Sequence, residues 1–327
     1  MLDRKILILE PFREKHIDMI KATANEVYDV EFASYDDGEK LKELIKKAEI
    51  IVGQPPIEML QTPDVDCPKL KLIQMTWAGT DVYTRSKLPF PKEQVLLANA
   101  SGSFGMIMSQ FVVCMTLSLM LGFKDYHKQQ QDKIWLRLGE EKSLDGANVI
   151  VYGAGDIGGA IAKRLSGFDA HIVGVCRDKT KKREYFDELC TLDEAENYLP
   201  QMDVVVGCIP NSEQTAGYMN KQRLLSIKEG AVLVNVGRGN FVDCMALNEV
   251  LDSGHLWGAA LDVTFPEPLP QDHPLWENPR CIITPHTSGT TFGQLEKTED
   301  LLCDIVCDNI RNIIDGKEIR NRVCFEA

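Results

Sequence analysis

The sequence contains no CxxC pair and no cysteine–histidine spacing of a zinc site, although it holds ten cysteines. The closest two, Cys303 and Cys307, stand four apart on a helical pattern and read as core packing. Thiols used this freely, with no metal framework around them, point to a reducing, cytoplasmic setting and to chemistry that calls for no metal. Excess positive charge is missing too. The formal net charge is −13, and so acidic a surface repels nucleic acid and anionic lipid, so both are set aside as partners. The opening "MLDRKILILE" runs straight into a short strand, without the apolar run and small-residue cleavage site of a signal peptide. No membrane-length apolar run is present either. Residues 94–123 carry no charge, but Asn99, Ser101, Ser103, Ser109 and Gln110 interrupt them. The most apolar part, 111–123, is shorter than the ~20 residues a bilayer needs, so a helix buried inside protein is expected.

What is present is a globular chain of 327 residues, too long for one ordinary core, so two domains are expected. The first hundred residues alternate in period. Strands are expected at 5–9, 27–34, 50–53, 70–75 and 95–100, with helical patterns at 13–26 and 38–49. A second series follows, with strands at 147–153, 171–176, 203–209, 231–237, 257–263 and 281–285. Helical patterns fall at 156–167, 192–198, 220–226 and 243–253. Such alternation implies parallel sheets covered on both faces. A last helical pattern, 293–315, is expected to fold back on the first sheet. The fold class is therefore α/β, with two doubly wound parallel-sheet domains: a Rossmann-type cofactor domain inserted in a flavodoxin-like substrate domain. The boundaries expected are 1–102 with 288–327 for the substrate domain and 103–287 for the dinucleotide domain. Two chain crossings between them would act as a hinge over a cleft.

"VIVYGAGDIGGAIAKRL" (149–165) holds Gly153, Gly155 and Gly158 in GxGxxG spacing. The motif follows a strand, opens a helix and lies in a βαβ unit, the context that gives it meaning. Gly153 permits the tight turn, Gly155 lets backbone approach a pyrophosphate, and Gly158 lets the helix pack on the strand. Amide groups at the helix start then hold the anion. The choice of dinucleotide turns on "GVCRDKTKKR" (174–183). Cys176 stands where an NAD site places a carboxylate for the ribose 2′-hydroxyl. Five of the seven residues 177–183 are basic, and Arg177 with Lys179 or Lys181 suits a 2′-phosphate. NADP is expected, with NAD as the alternative if Asp178 reaches the ribose.

Three further segments end strands of the second series. "VLVNVGRGNFVD" carries Arg238, "ALDVTFPEPLP" carries Asp262 and Glu267, and "CIITPHTSG" carries His286. A guanidinium, a carboxylate and an imidazole on neighbouring loops fit reduction of a 2-keto acid. That reaction needs a hydride at carbon, a proton at oxygen, and a cation to hold the carboxylate and polarise the carbonyl.

"GAGDIG", "CIPNSEQT", "VNVGRG", "DVTFPEPLP" and "TPHTSG", in this order, resemble the D-isomer-specific 2-hydroxyacid dehydrogenases over nearly the whole chain. The resemblance implies that Arg238 grips the substrate carboxylate and carbonyl, and that His286 is the proton donor, or the base in oxidation. It implies that Glu267 pairs with that imidazole, orienting it and favouring its protonated form. Asp262 matches the strand-end aspartate near the nicotinamide, with a purely structural role as the alternative. Asp156 and Ile157 match the pair over the pyrophosphate. Ile209, Pro210, Thr215, Val236 and Gly237 match residues along the ribose and nicotinamide. In "TWAGTD" the amides of Ala78 and Gly79 match those that reach the substrate carboxylate, and Gln54 and Trp77 are expected along its side chain. A homodimer through 104–140 is also implied. The chain departs from the family at "SQ" (109–110), commonly Ala-Glu, and at Cys176, which weakens any carry-over of NAD preference. A different class, a nucleotide-sensing binding protein on the same scaffold, is the alternative; it would bind cofactor tightly and turn nothing over. A formate dehydrogenase is discounted, because that subclass lacks the Glu267–His286 pairing.

Overall fold

A computed structural model describes residues 2–62, 67–86, 90 and 94–323. The chain divides into two compact units, Met1–Phe104 with Thr290–Ala327, and Gly105–Gly289. Of the stretch 288–327 assigned to the substrate domain, residues 324–327 lie outside the described residues.

The first unit holds a six-stranded sheet. Its strands are β1 (Lys5–Ile8), β2 (Asp29–Phe32), β3 (Ile50–Val52), β4 (Leu72–Gln74), β5 (Leu96–Ala98) and, from the far end of the chain, β13 (Arg322–Val323). The order is β2-β1-β3-β4-β5-β13, with the first five parallel and β13 antiparallel to β5. Apart from β13 this is the flavodoxin-like order. Apolar side chains on both faces of β3, "IIV", are fully buried, as a central parallel strand requires. One face packs Leu7, Ile51, Ile73 and Leu97 against Leu41 and Ile45 of the helix Glu39–Lys47. The long helix Glu296–Asp315 packs on Glu14–Ala24 through an apolar stripe that includes Leu302, Ile305, Val306 and Ile310.

The second unit holds seven parallel strands: β6 (Asn148–Tyr152), β7 (His171–Val175), β8 (Glu188–Cys190), β9 (Val204–Gly207), β10 (Val232–Asn235), β11 (Gly258–Leu261) and β12 (Cys281–Ile283). Their order is β8-β7-β6-β9-β10-β11-β12. That is the Rossmann order with one strand added, and it reverses direction between β6 and β9, where such sheets bind ligands. The core on one face gathers Tyr152, Val205, Leu233, Leu247, Leu251 and Leu261.

The structure refines several sequence expectations. The pattern at 192–198 forms the 3-10 turn Ala195–Asn197 rather than an α-helix; a second 3-10 turn, Leu199–Gln201, follows it, with Pro200, which lacks an N–H, in its first turn. The uncharged segment forms the helix Gly105–Met120, which packs against Asp156–Leu165 of the same unit and buries Met108, Val112, Leu119 and Met120. A 66° bend then leads into Phe123–Gln131. Among the described residues no single helix is long and apolar enough to cross a membrane, although this bent pair passes by length and composition together. Strands β8 and β13 have no sequence signature; both are short and lie at sheet edges.

Candidate active site

The glycine turn lies at the switch point. A Cβ on Gly158 would stand 1.9 Å from the Gly153 carbonyl oxygen, so only glycine lets the helix Asp156–Leu165 approach the turn this closely. Gly155 differs: a Cβ there would meet nothing within 4 Å. That open space sits at a helix start, where the first N–H groups lack intrahelical acceptors, and it fits a pyrophosphate. The amides of Gly153 and Ala154 both donate to Val175 O, at 3.1 and 3.0 Å, tying the turn to the end of β7. Beyond β9, the buried Thr215 donates its hydroxyl to Pro210 O at 2.9 Å and closes the turn after Ile209. Val236, directly after β10, is buried.

Strands β10, β11 and β12 are neighbours and parallel. Their carboxyl ends therefore lie side by side, at the strand spacing of about 5 Å, and deliver Arg238, Asp262 and His286 to one edge. Gly239 makes the closest approach: a Cβ would stand 1.8 Å from Thr264 O, so the Arg238 turn rests against the loop that leads to Glu267. Asn235, fully buried at the end of β10, shapes that turn. Its Nδ2 donates to Arg238 O at 3.0 Å and its Oδ1 accepts from the Gly237 amide at 3.2 Å. Arg238 is half-buried and donates from Nη1 to Gly237 O at 2.8 Å.

His286 Nδ1 lies 2.7 Å from Glu267 Oε1. A carboxylate can only accept, so Nδ1 donates and Nε2 is the ring atom left to exchange a proton. Nε2 has no partner among the described residues, and the side chain is 52% exposed. Its backbone is left-handed, φ 51°, an uncommon conformation for a residue with a Cβ. The neighbouring strand holds it so. The His286 amide donates to Asp262 O at 2.8 Å, while the buried Asp262 carboxylate receives Thr284 Oγ1, Thr287 N and Ser288 N. Asp262 thus clamps the histidine loop. For Asp262 a purely structural role stands beside the nicotinamide reading; Asn235 carries no sequence signal beyond a polar residue ending an apolar strand.

After β7, Cys176 is half-buried and Arg177 is exposed. Lys179 is ion-paired with Glu194. Asp178 accepts from the hydroxyl and amide of Thr180, at 2.6 and 3.0 Å, and these bonds, aided by Lys181, hold its carboxyl below the usual range. In the first unit, Gln54 is buried and bonds to Thr76, at 2.9 Å. With its amide nitrogen toward Glu10, its oxygen accepts the Thr76 and Trp77 amides, so it shapes the "TWAG" turn. Trp77 is exposed; Ala78 O accepts from Asn99 Nδ2 at 2.9 Å, and Gly79 is half-buried.

Comparison with known proteins is consistent across sequence and fold. A family model for the D-isomer specific 2-hydroxyacid dehydrogenase, NAD binding domain, matches residues 113–288. A glyoxylate/hydroxypyruvate reductase A of Salmonella paratyphi B is 32% identical over 269 residues, 77% of this chain and 83% of that protein. A D-isomer specific 2-hydroxyacid dehydrogenase family protein of Aeromonas salmonicida is similar in structure, with TM-score 0.85 and 31% identity over 99% of this chain and 100% of that one. A D-isomer specific 2-hydroxyacid dehydrogenase of Xanthobacter autotrophicus, solved in complex with NADPH and MES, has TM-score 0.80 and 26% identity, covering 98% and 97% of the two chains.

Proposed function

This chain belongs to the D-isomer specific 2-hydroxyacid dehydrogenase family and is an NAD(P)-dependent oxidoreductase, and from that premise we propose that it reduces a short 2-keto acid with NADPH, His286 delivering the proton. The observation that carries this reading is the 2.7 Å bond between His286 Nδ1 and Glu267, which leaves Nε2 with no partner among the described residues, on an exposed loop. The glycine turn and the helix start Asp156–Ile157 hold the pyrophosphate, with Ile209, Pro210, Thr215, Val236 and Gly237 along the ribose and nicotinamide. When bound there, the nicotinamide would supply the hydride that C2 of the keto acid accepts. Arg238 grips the substrate carboxylate and carbonyl, a task that suits a planar fork. As the carbonyl carbon takes the hydride, its oxygen takes the proton from Nε2 and becomes the 2-hydroxyl. Glu267 orients the ring through Nδ1 and balances its charge.

Glyoxylate and hydroxypyruvate are the first substrates to try, because a relative sharing 32% identity is named for them. NADPH is favoured over NADH by the basic run 177–183 and the absence of a carboxylate at Cys176; the Xanthobacter relative was solved with NADPH. A homodimer through 104–140 accords with Ile134, Trp135 and Leu136, which stand exposed. The test is a panel of keto acids, each with NADPH and NADH, on the wild type and on His286→Ala. The variant is expected to lose about 10²–10⁴-fold in kcat and to bind NADPH as the wild type does. Near-wild-type turnover would refute the assignment. Tight cofactor binding by the wild type with no turnover on any acid would make the chain a nucleotide-sensing binding protein instead.

A further inference from the structure

Arg183 does not follow β7 directly, yet it reaches the glycine turn. Its Nη1 donates to Ala154 O at 2.7 Å. The segment before β8 folds back over the helix that the turn opens. Phe186 packs on the bare Cα of Gly174, and the Tyr185 ring lies 5.6 Å from Lys163 Nζ on that helix. The guanidinium is therefore held where the end of β7 meets the turn, the corner tied by the two amides on Val175 O. In doubly wound sheets this corner reads the 2′ position of the adenosine ribose. A carboxylate suited to a 2′-hydroxyl is missing there: Cys176 takes its place, and Asp178 is turned into its own Thr180 turn. The other four cations of the segment sit differently, Lys182 being exposed. Lys179 is paired with Glu194, Lys181 with Asp178, and Arg177 stands exposed. Among the described residues, Arg183 is the cation of this segment bonded to the turn, and its Nε is buried with no partner there. A buried donor left unpaired is costly, and a phosphate monoester offers several acceptor oxygens to a planar fork.

We propose that Arg183, seated on Ala154, is the residue that recognises the 2′-phosphate of NADPH, in place of Arg177 or Lys179. This rests on the dinucleotide-site reading above. The remaining guanidinium donors meet the phosphate oxygens, while the Ala154 contact keeps the group at the corner, so part of the ordering is done before the cofactor arrives.

The test uses the full-length protein and measures cofactor binding directly, through quenching of tryptophan fluorescence by NADPH and by NADH. Arg183→Met, Arg183→Lys and Arg177→Met are compared with the wild type. Adenosine 2′-monophosphate and adenosine 5′-monophosphate serve as competing probes. Arg183→Met is expected to weaken NADPH binding by about 10- to 100-fold, as loss of a charge-assisted bidentate contact does. NADH binding should stay within about threefold, and the preference for the 2′-monophosphate should disappear. Arg183→Lys should recover part of the affinity, because it keeps the charge and loses the fork. Equal losses for NADPH and NADH would mean that Arg183 only clasps the turn, and would overturn the proposal. So would a wild-type preference for NADPH that survives Arg183→Met and vanishes in Arg177→Met. If the wild type binds both cofactors equally but Arg183→Met still weakens NADPH alone, the proposal stands and the assignment of NADPH as preferred cofactor fails.

Discussion

The buried carboxylate of Asp262 accepts the Ser288 amide at 2.9 Å, fastening the end of β11 to the loop after β12. Its other oxygen receives the Thr287 amide at 2.8 Å and the Thr284 hydroxyl at 2.7 Å. The three donors bracket His286, so the carboxylate sets the path of the loop without touching the imidazole. Asp262→Asn presents an NH2 group to one of these donors and leaves it unpaired. A loss of about 1–3 kcal/mol in stability is expected, the cost of a buried unsatisfied group, with kcat falling while NADPH affinity holds. Urea denaturation and steady-state kinetics check this; an unchanged kcat in a destabilised protein would separate loop support from turnover.

Glu267→Gln removes the charge facing His286 and keeps the shape. The amide oxygen can still accept from Nδ1, so the ring stays oriented. A fall of about 10²-fold in kcat is expected if the carboxylate sustains proton transfer, within the range that general acid catalysis contributes. NADPH binding should be unaffected. A variant with wild-type turnover would show that orientation alone suffices.

Gly158→Ala places a methyl group 1.9 Å from the Gly153 carbonyl. The helix must back away from the turn that it opens, a disturbance of about 1–3 kcal/mol by the usual cost of overpacking. Cofactor affinity should fall with stability, for NADPH and NADH alike, because the pyrophosphate contact is common to both. Gly155→Ala is a different case: its Cβ meets no protein atom. That variant should fold normally and lose only dinucleotide binding, which calorimetric titration beside a melting curve will show.

Acid stability should depend on Glu49. Burial pushes its carboxyl up, but bonds from Arg4, Lys71 and Tyr28 together outweigh burial and bring it down to about 2. The folded value lies below the ordinary 4.5, so the stabilisation is fully present above that pH. It is lost as pH falls from about 4.5 toward about 2. Glu49→Gln should lower the melting temperature at neutral pH and flatten its slope across that window. A parallel slope in wild type and variant would place the acid sensitivity elsewhere.

Alternation of strands and helices, and with it the two doubly wound sheets, was legible along the chain because periods of two and 3.6 are local properties. Strands β8 and β13 were not, since short edge strands exist only through their partners. The helical pattern at 192–198 yields only the 3-10 turn Ala195–Asn197, because a local apolar period does not fix how long a helix runs.

The sequence by itself determined where the GxGxxG turn, Arg238, Glu267 and His286 stand along the chain, and that each follows or precedes a strand end. Spacing and residue type are enough for that. Only the tertiary structure decided that Nδ1 rather than Nε2 meets Glu267, that Asp262 spends its carboxylate on the neighbouring loop, and that Arg183 rather than the closer Arg177 rests on Ala154. The physical reason is common to all three. Which donor meets which acceptor depends on strands and loops far apart in sequence arriving side by side, and no local pattern encodes that meeting.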